Sequence, residues 1–489
     1  MTIKHLNNLI SIKNCKIVLI YIGILYLATF FNRYIQTDEN WFGEQAYWLV
    51  NEGKVKLKSL PFILNWTQEF LVYHKLLIWI GAGIITVFGW SVFYFKFFNL
   101  VCFLTTLFFI WRITASESKR FQFVSLILFL TIPIILIKSF EFRPEVPIMM
   151  FGLGSFFFLR QYLISNKVGQ VLVGGLLSGL AFLTHLNGAV FCVSGFFLLL
   201  YFRNINGLAF FSLVSISVCL IYFIPLFEGN NLELWAYNLK NVPSQDFSSA
   251  INQNIFETIF EKVSTEHKRF FWDESVAGIS LIFILVLLFK GKFLWKNYKV
   301  LLLFTIFQIT FLALLGSHKA VRYLMFHLPF MAMIIAYAWR EIAKLGKVFQ
   351  SYLLLALAIC QFALFSRTAW QITSYNAPQS QIHQEIMSHI PKASKVIGPW
   401  ELIYNEISNY EIYTFKSYEY LEEKMPKPFT QIQLTQKIAS LGIEYIILDT
   451  KMKEDKVNHW FKNWEVDSQN IYQEYFKNNN YLILKRHSN

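Results

Sequence analysis

Two adjacent carboxylates, Asp38 and Glu39, follow the first long apolar run of the chain, which extends over residues 17–33. A membrane helix is expected to end there. Ions are costly near hydrocarbon, so an acidic pair at this place needs water or a function. One carboxylate of such a pair could take the proton from a hydroxyl nucleophile, because adjacent acids disfavour double ionisation and can raise one pKa. The simpler interpretation is a solvated helix end that leads into a loop.

Three further polar clusters interrupt or border later apolar runs, at residues 141–145, 184–188 and 317–323. Each has a structural alternative: an Arg–Glu pair in the first, a satisfied core polar group and a turn in the second, and snorkelling anchors in the third. A charged residue at the centre of a membrane helix costs about 2.5–3.5 kcal/mol, so a protein without a polar site has reason to avoid such clusters. Together with the acidic pair, they predict one polar site at one side of the membrane.

The third cluster carries Lys319 and Arg322, two cations that could hold a phosphate leaving group. Arginine would bind the phosphate with a planar fork of donors, and lysine would bind it as a point charge. The sequence contains no glycine-rich phosphate loop or nucleotide fingerprint. We therefore expect a membrane-borne phosphate donor rather than a cytosolic nucleotide sugar.

The composition places most of the chain in lipid. Hydrophobic residues make up 55% of the 489 residues and charged residues only 15%, whereas soluble domains carry about a quarter charged residues. The net charge of +13 requires no nucleic-acid partner, because the lysines and arginines collect in short segments between apolar runs, as the positive-inside bias predicts. The five cysteines are scattered without metal-ligand spacing. Neither a metal site, nor a cofactor, nor a disulfide framework is predicted.

The order of apolar runs and basic segments predicts a topology. Three lysines in the first 16 residues keep the amino terminus in the cytoplasm, so the acidic pair emerges on the opposite side. The run 76–89 has only about 14 residues and is interpreted as an interfacial helix, which places 112–120 inside and 141–145 outside. The sequence then predicts about eleven spans, near 17–33, 92–111, 121–137, 147–158, two within 168–202, 208–227, 279–290, 300–315, 324–339 and 352–365.

Beyond Arg367 the composition changes to that of a soluble domain. The pattern predicts a helix at 383–389 and apolar strands at 395–398, 445–448 and 481–484. We expect a polytopic α-helical membrane domain followed by a small extracytoplasmic α/β domain. The expected boundaries are 1–367 for the membrane domain, with outer catalytic loops at 34–91 and 138–146, and 368–489 for the α/β domain.

The chain resembles the multispan GT-C glycosyltransferases in the order and topology of its acidic pair and its three polar clusters. The similarity is closest to the protein mannosyltransferase and aminoarabinose transferase-like branch (glycosyltransferase family 39-like), and it covers about residues 1–370. It implies a GT-C fold and the transfer of a hexose or pentose from a polyprenyl-phosphate carrier to a lipid, glycan or protein hydroxyl outside the cytoplasm. The motifs are Asp38-Glu39 after the first span, Arg143-Pro144-Glu145 before the fourth, Thr184–Gly188, and Lys319–Tyr323 before a proline-containing span.

The resemblance also assigns roles to single residues. It makes Asp38 the base with Glu39 beside it, and Glu145 a second catalytic acid that positions the acceptor or the sugar. Contacts to the substrate and its phosphate are implied for a larger set. These residues are His74, Lys75, Lys96, Arg143, His185, Asn187, His318, Lys319, Arg322 and Tyr323.

The chain departs from the pattern of its relatives in several places. Relatives usually have aspartate where Glu145 stands, and a lysine is common where this chain has residues 185–187. A Pro-Pro or Lys-Pro element of the first outer loop is absent, with His74-Lys75 in its place, and Lys96 stands where relatives often have arginine. These differences concern the donor sugar and the phosphate contacts.

The sequence therefore predicts an integral membrane glycosyltransferase of a bacterial inner membrane, with its active site and C-terminal domain facing the periplasm or exterior. A transporter or flippase of lipid-linked glycans is the alternative. Transporters tend to have related halves and broken helices that meet at the midplane, whereas here no halves match and the polar groups collect at one face. A structural or assembly protein would leave the convergence of Asp38, Glu145 and Arg322 unexplained.

Overall fold

The computed structural model describes residues 11–241, 255–315, 319–374, 379–449, 458–461 and 471–487. Its long apolar runs are helical, as the sequence predicts, and short 3₁₀ turns at Leu186–Gly188, Ile224–Phe227 and Val321–Phe326 lie between helices. The helices in chain order are α1 (Ile12–Phe31), α2 (Thr37–Glu52), α3 (Lys75–Phe88), α4 (Val92–Ile113), α5 (Lys119–Leu130), α6 (Pro133–Lys138), α7 (Glu145–Ser165), α8 (Val168–Thr184), α9 (Ala189–Tyr201), α10 (Ile205–Ile221), α11 (Asn231–Asn241), α12 (Ile255–Ser264), α13 (His267–Phe271), α14 (Glu274–Asn297), α15 (Lys299–Leu315), α16 (Leu328–Lys344) and α17 (Val348–Ser374).

Five helices in the described ranges, α1, α4, α7, α14 and the one that begins at Val348, are long and apolar enough to cross a membrane. The chain is therefore an integral membrane protein, while the number of about eleven spans stays a prediction. Helix α3 has 14 residues and is about 21 Å long, which is shorter than a hydrocarbon core of about 30 Å. Its length fits the interfacial placement expected for residues 76–89.

The predicted span 121–137 is a broken helix. Helix α5 ends at Leu130 and α6 begins with Pro133, because proline lacks an N–H for the helix ladder and disfavours helical backbone at the preceding residue. Ile132 is accordingly extended, with φ −77° and ψ 118°. The break directs α6 to end at Lys138, immediately before the loop that carries Arg143.

Helix α16 is buried on all sides: 13 of its 17 residues are buried, which is typical of a helix at the centre of a bundle. Helices α8 and α10 pack closely at Gly175, where an added Cβ would lie 2.8 Å from the backbone oxygen of Phe211. Small residues allow such close approach between membrane helices. The bundle is therefore a close-packed frame for the loops at its ends.

The C-terminal region, the described residues between 379 and 487, consists of short helices and a five-stranded sheet. The strand order is β2-β1-β3-β5-β4. The pairs β2–β1 and β1–β3 are parallel, and the pairs β3–β5 and β5–β4 are antiparallel. The elements are α18 (Gln379–Ser388), β1 (Lys395–Gly398), α19 (Leu402–Glu406), β2 (Glu411–Thr414), α20 (Lys416–Glu422), α21 (Gln431–Ser440), β3 (Tyr445–Asp449), α22 (Asn458–Phe461), β4 (Tyr472–Lys477) and β5 (Tyr481–Arg486).

The helix and the three strands expected in this region are confirmed as α18, β1, β3 and β5. The sequence did not predict β2 and β4, which are the two edges of the sheet. Strand β4 is largely exposed and bulges between Glu474 and Phe476, so it shows no apolar run. Strand β2 has four residues, of which Ile412 and Tyr413 are apolar.

The C-terminal region packs on the segment that holds α2 and α3, and the two share one apolar core. The backbone N–H of Thr414 donates to the backbone oxygen of Ser59 at 2.9 Å, and the N–H of Ile35 donates to Gln379 Oε1 at 3.0 Å. The rings of Trp41 and Trp400 meet edge to face at 6.0 Å. Helix α2 therefore lies between the membrane bundle and the C-terminal sheet.

The topology can be tested with single cysteines, after replacement of the exposed native Cys360. We expect an impermeant thiol reagent added to spheroplasts to label cysteines placed at the exposed positions Lys54 and Lys424. Cysteines at the exposed positions Lys167 and Lys292 should react only after permeabilisation. Labelling of positions 54 and 167 from the same side would contradict the interfacial placement of α3.

Candidate active site

Arg143 is the centre of a charge cluster that comprises Asp38, Glu141, Arg143, Glu145 and Arg322. Its guanidinium donates through Nε to Glu145 Oε2 at 3.1 Å and through Nη2 to Glu145 Oε1 at 3.0 Å. Nη1 donates to Asp38 Oδ2, and Nε lies 3.8 Å from Glu141 Oε2. This one side chain thus joins the start of α2 to the loop before α7.

The carboxylates of the charge cluster differ in exposure. The side chain of Asp38 is 43% exposed, whereas those of Glu141 and Glu145 are each 1% exposed. A bidentate Arg–carboxylate pair has a fixed geometry, and breaking a buried pair leaves an uncompensated charge. Glu145 is therefore held in place, while Asp38 is the carboxylate that a substrate can reach. Its role as base stays a prediction.

Glu39 connects structural elements. Its Oε2 accepts from the backbone N–H of Gln36 at 2.9 Å, which completes a capping box at the start of α2. Its Oε1 accepts from the N–H of Phe142 at 3.2 Å, and the side chain is fully buried. Both oxygens are thus engaged with backbone amides, so the predicted acid beside the base fixes α2 against the 139–144 loop.

Arg322 enters the charge cluster from the 3₁₀ turn Val321–Phe326. Its Nε lies 3.2 Å from Glu145 Oε1, so one carboxylate oxygen bridges Arg322 and Arg143. The Arg322 side chain is 35% exposed, and its guanidinium carbon lies 5.4 Å from the ring centre of Tyr323. The predicted cation is therefore next to the predicted second acid and remains accessible.

Lys319 has a different environment. A lysine ammonium has three donors, and three oxygens lie within reach of its Nζ: Glu266 Oε2 at 2.6 Å, the backbone oxygen of Lys262 at 2.7 Å and that of Ala313 at 3.4 Å. Its charge is thus paired within the protein, which favours an anchoring role over the predicted phosphate contact. The neighbouring prediction, His318, lies outside the described residues.

The interruption at 184–188 comes next to the loop before α3. His185 caps the 3₁₀ turn by accepting from the N–H of Asn187 through Nδ1 at 2.9 Å. Its ring stacks on His74 at 4.2 Å and meets the ring of Tyr323 at 5.6 Å. Loss of solvent lowers the pKa of His74 well below its usual range, and the nearby His185 acts in the same direction. These two predicted residues therefore form an aromatic wall beside the turn that carries Arg322.

Lys75 and Lys96 are buried and bonded to backbone. Lys75 Nζ donates to the backbone oxygen of Leu71 at 3.3 Å and lies 3.6 Å above the ring of Tyr73. Lys96 Nζ donates to the backbone oxygen of Arg33 at 3.1 Å. Neither lysine bonds a carboxylate of the charge cluster among the contacts described, so both are better explained as anchors than as phosphate contacts.

A cavity of about 760 Å³ opens beside the charge cluster, and Arg322 lines it. Apolar side chains form part of its wall, among them Ile134, Ile137 and Leu364. The sequence did not predict two further cations that line it, Lys138 and Arg367, or two carboxylates, Asp273 and Glu274. Lys138 donates to both oxygens of Glu141, at 2.9 and 3.1 Å, whereas Arg367 lies 3.8 Å from Glu274 with both side chains exposed. Arg367 could have been selected from the sequence, because it is a basic residue directly after the last apolar run.

Comparison with known proteins supports one fold. Residues 75–227 match the family model of dolichyl-phosphate-mannose-protein mannosyltransferase. No curated protein sequence is significantly similar to the chain.

Within the described ranges, no three His, Cys, Asp or Glu side chains group as a metal site.

Several solved structures share the fold. ArnT from Cupriavidus metallidurans bound to undecaprenyl phosphate has 9% identity and a TM-score of 0.59, over 96% of this chain and 97% of that chain. The Archaeoglobus fulgidus oligosaccharyltransferase in complex with Zn and sulfate has 13% identity and a TM-score of 0.56, over 93% and 71%. AglB of the same organism, with an inhibitory peptide and a dolichol-phosphate, has 12% identity and a TM-score of 0.51, over 91% and 70%. The resemblance to GT-C glycosyltransferases is thereby confirmed.

The environment of Lys319 gives a first prediction at this site. Lys319→Met removes the ammonium that Glu266 and two backbone oxygens share, so we expect it to destabilise the purified protein by about 1–3 kcal/mol, measured by thermal unfolding in detergent. The KM for a lipid-linked sugar donor should stay within about twofold. Lys268→Met, which changes an exposed lysine on α13, is the control. A strongly raised donor KM at unchanged stability would restore Lys319 as a phosphate contact.

Proposed function

We propose that the chain is a membrane glycosyltransferase that moves a sugar from a polyprenyl-phosphate carrier to a hydroxyl of a lipid, glycan or protein. The proposal depends chiefly on Arg322, which lies 3.2 Å from Glu145 and also lines the cavity of about 760 Å³. A cation thus stands between a set of carboxylates and a space that suits the sugar-phosphate end of a lipid-linked donor. The same site is proposed to face the periplasm or exterior of a bacterial inner membrane.

The cavity suits an amphiphilic donor. Isoprenoid chains need an apolar wall, which Ile134, Ile137 and Leu364 provide. A phosphate needs cations, which Arg322 and Arg367 supply, although the carboxylates of Asp273 and Glu274 also line the cavity. Arginine is suited to phosphate because its planar fork binds two oxygens at once. ArnT bound to undecaprenyl phosphate and AglB in complex with a dolichol-phosphate have this fold, which supports a carrier of the same chemical class here.

The proposed transfer is a single displacement. The oxygen of the acceptor hydroxyl forms a bond to the anomeric carbon of the sugar, while the bond from that carbon to the phosphate oxygen breaks. The hydroxyl proton passes to Asp38, and the carrier leaves as polyprenyl phosphate with the electrons of the broken bond. Arg322 stabilises the charge that develops on the phosphate, and Arg143 keeps the Asp38 carboxylate in place.

The division of work between the two acids follows from their burial. Asp38 is the exposed carboxylate and can meet the acceptor, which makes it the proposed base. Glu145 is buried, hydrogen-bonds Arg143 and ion-pairs with Arg322, so its proposed role is to position both cations. Glu39 contributes through the backbone that it fixes and not through proton transfer.

Replacement of the base gives the second test. Asp38→Asn keeps the size of the side chain but removes its affinity for a proton, so we expect single-turnover transfer to fall by about 10²-fold or more. Donor affinity should change little, because the proposed phosphate contacts lie on other elements. The measurement is transfer from a purified polyprenyl-phosphate sugar, alongside donor binding.

Glu52→Gln is the matched control for that experiment. Glu52 lies in the last turn of the same helix and pairs with Lys56 and Lys58 on the surface. The Glu52→Gln variant should transfer the sugar at the normal rate, because surface ion pairs contribute little to stability. Near-normal transfer by Asp38→Asn would remove Asp38 as the base and with it the proposed mechanism.

Arg322 gives the third test. Arg322→Met should weaken binding of polyprenyl phosphate by about tenfold or more, because a charge-assisted contact to the phosphate is lost. Arg322→Lys should recover part of the affinity, since lysine restores the charge but not the fork. The control is Arg112→Met. Arg112 lies in the last turn of α4, far from the charge cluster in the predicted topology, so this variant should bind normally. Unchanged binding by Arg322→Met would show that the cavity does not hold the phosphate at this residue.

A further inference from the structure

Tyr404 belongs to α19 in the C-terminal region but bonds to the start of α2. Its hydroxyl donates to the backbone oxygen of Glu39 at 2.6 Å, across a sequence separation of 365 residues. Glu39 follows Asp38 in the first turn of α2. The C-terminal region is thus hydrogen-bonded to the backbone directly beside the proposed base.

The hydroxyl of Tyr404 is held in a defined place. Its ring stacks on Trp90 with the centres 5.0 Å apart and the planes 10° apart, and the side chain is buried. Burial, with the Glu39 carboxylate nearby, raises the pKa of Tyr404 well above its usual range, so the hydroxyl keeps its proton and can donate. The ring is fixed by packing, and the hydroxyl adds one directed bond.

Gly43 makes room for this contact. A Cβ added at Gly43 would lie 2.3 Å from the Tyr404 hydroxyl oxygen. In an α-helix the backbone oxygen of residue 39 also accepts the N–H of residue 43. Glycine in a helix interior costs about 1 kcal/mol relative to alanine, so its presence in α2 requires a reason. The close approach of Tyr404 to the Glu39 carbonyl supplies that reason.

We propose that Tyr404 is a positioning residue, through which the C-terminal region sets the place of Asp38 relative to Arg143 and the acceptor. Fixing the Glu39 carbonyl fixes the first turn of α2, from which Asp38 projects. A displacement of about 1 Å at a reacting group can lower a rate by about 10²-fold, so one bond to this turn has a measurable effect on transfer. The inference rests on the proposed function, because it takes Asp38 as the base.

Tyr404→Phe tests the role, because it removes the hydroxyl and keeps the ring on Trp90. We expect kcat to fall by about tenfold, with the KM for the polyprenyl-phosphate sugar within about twofold of wild type, because the cavity and Arg322 are untouched. The control is Tyr410→Phe, whose buried hydroxyl donates to the backbone oxygens of Met387 and Ile390 at 3.1 and 3.0 Å within the C-terminal region. It should lower thermal stability and leave kcat per folded protein unchanged.

Gly43→Ala provides an independent route to the same effect. The added methyl group cannot coexist with Tyr404 in its present place, so we expect a similar loss of kcat from a change on the other side of the contact. The double variant Gly43→Ala/Tyr404→Phe should have a kcat within about twofold of that of Gly43→Ala alone, because both changes break the same interaction. Fully additive losses would contradict a shared contact.

The outcomes separate this inference from the proposed function. If Asp38→Asn is inactive and Tyr404→Phe has a kcat within twofold of wild type, positioning by Tyr404 is wrong and the proposed base stands. If Tyr404→Phe loses activity only in proportion to folded protein, as a structural tyrosine would, positioning is also wrong. If Asp38→Asn transfers normally, the proposed base is wrong, and a kcat loss in Tyr404→Phe would then exclude action through Asp38.

Discussion

The buried ion pair between Arg143 and Glu145 is the constraint on which the rest of this end of the molecule depends. Both side chains are almost fully buried, at 5% and 1% exposed, so each needs the other and further polar partners. The available partners are Asp38 and Arg322, from α2 and the 3₁₀ turn Val321–Phe326. Three distant stretches of chain must therefore meet at one place. Helix α6, which begins after the break at Pro133, ends just before the loop of Arg143, and the buried helix α16 follows the turn of Arg322.

The first turn of helix α2 is hydrogen-bonded to two different parts of the protein. Glu39 fastens it to the 139–144 loop through a side-chain oxygen, and its backbone oxygen accepts from Tyr404 of the C-terminal region. The side chain of Asp38, which is 43% exposed, remains accessible in that turn. Such an arrangement restricts the backbone while leaving one carboxylate accessible, as expected where precise placement governs a rate.

The sequence predicted which charged residues lie together here better than it predicted the contacts that each one makes. Asp38, Arg143, Glu145 and Arg322 could be selected because charges beside apolar runs are expensive and therefore informative. The pairing of Lys319 with Glu266 and the contact of Tyr404 with Glu39 could not be selected. They join residues far apart in sequence and leave no local pattern. The edge strand β4 was missed for a related reason, since its exposed face shows no apolar periodicity.

The departure at position 145 has a physical explanation in the charge cluster. Oxygen Oε1 of Glu145 lies 3.0 Å from Arg143 Nη2 and 3.2 Å from Arg322 Nε, so a single oxygen bridges two guanidiniums. The family pattern that the sequence resembles has aspartate at this place, whose side chain is one methylene shorter and would reach less far from the start of α7. Glutamate here ion-pairs both with Arg143 and with Arg322, which lies on a separate turn. The choice of acid is thus coupled to the position of the cation that faces the cavity.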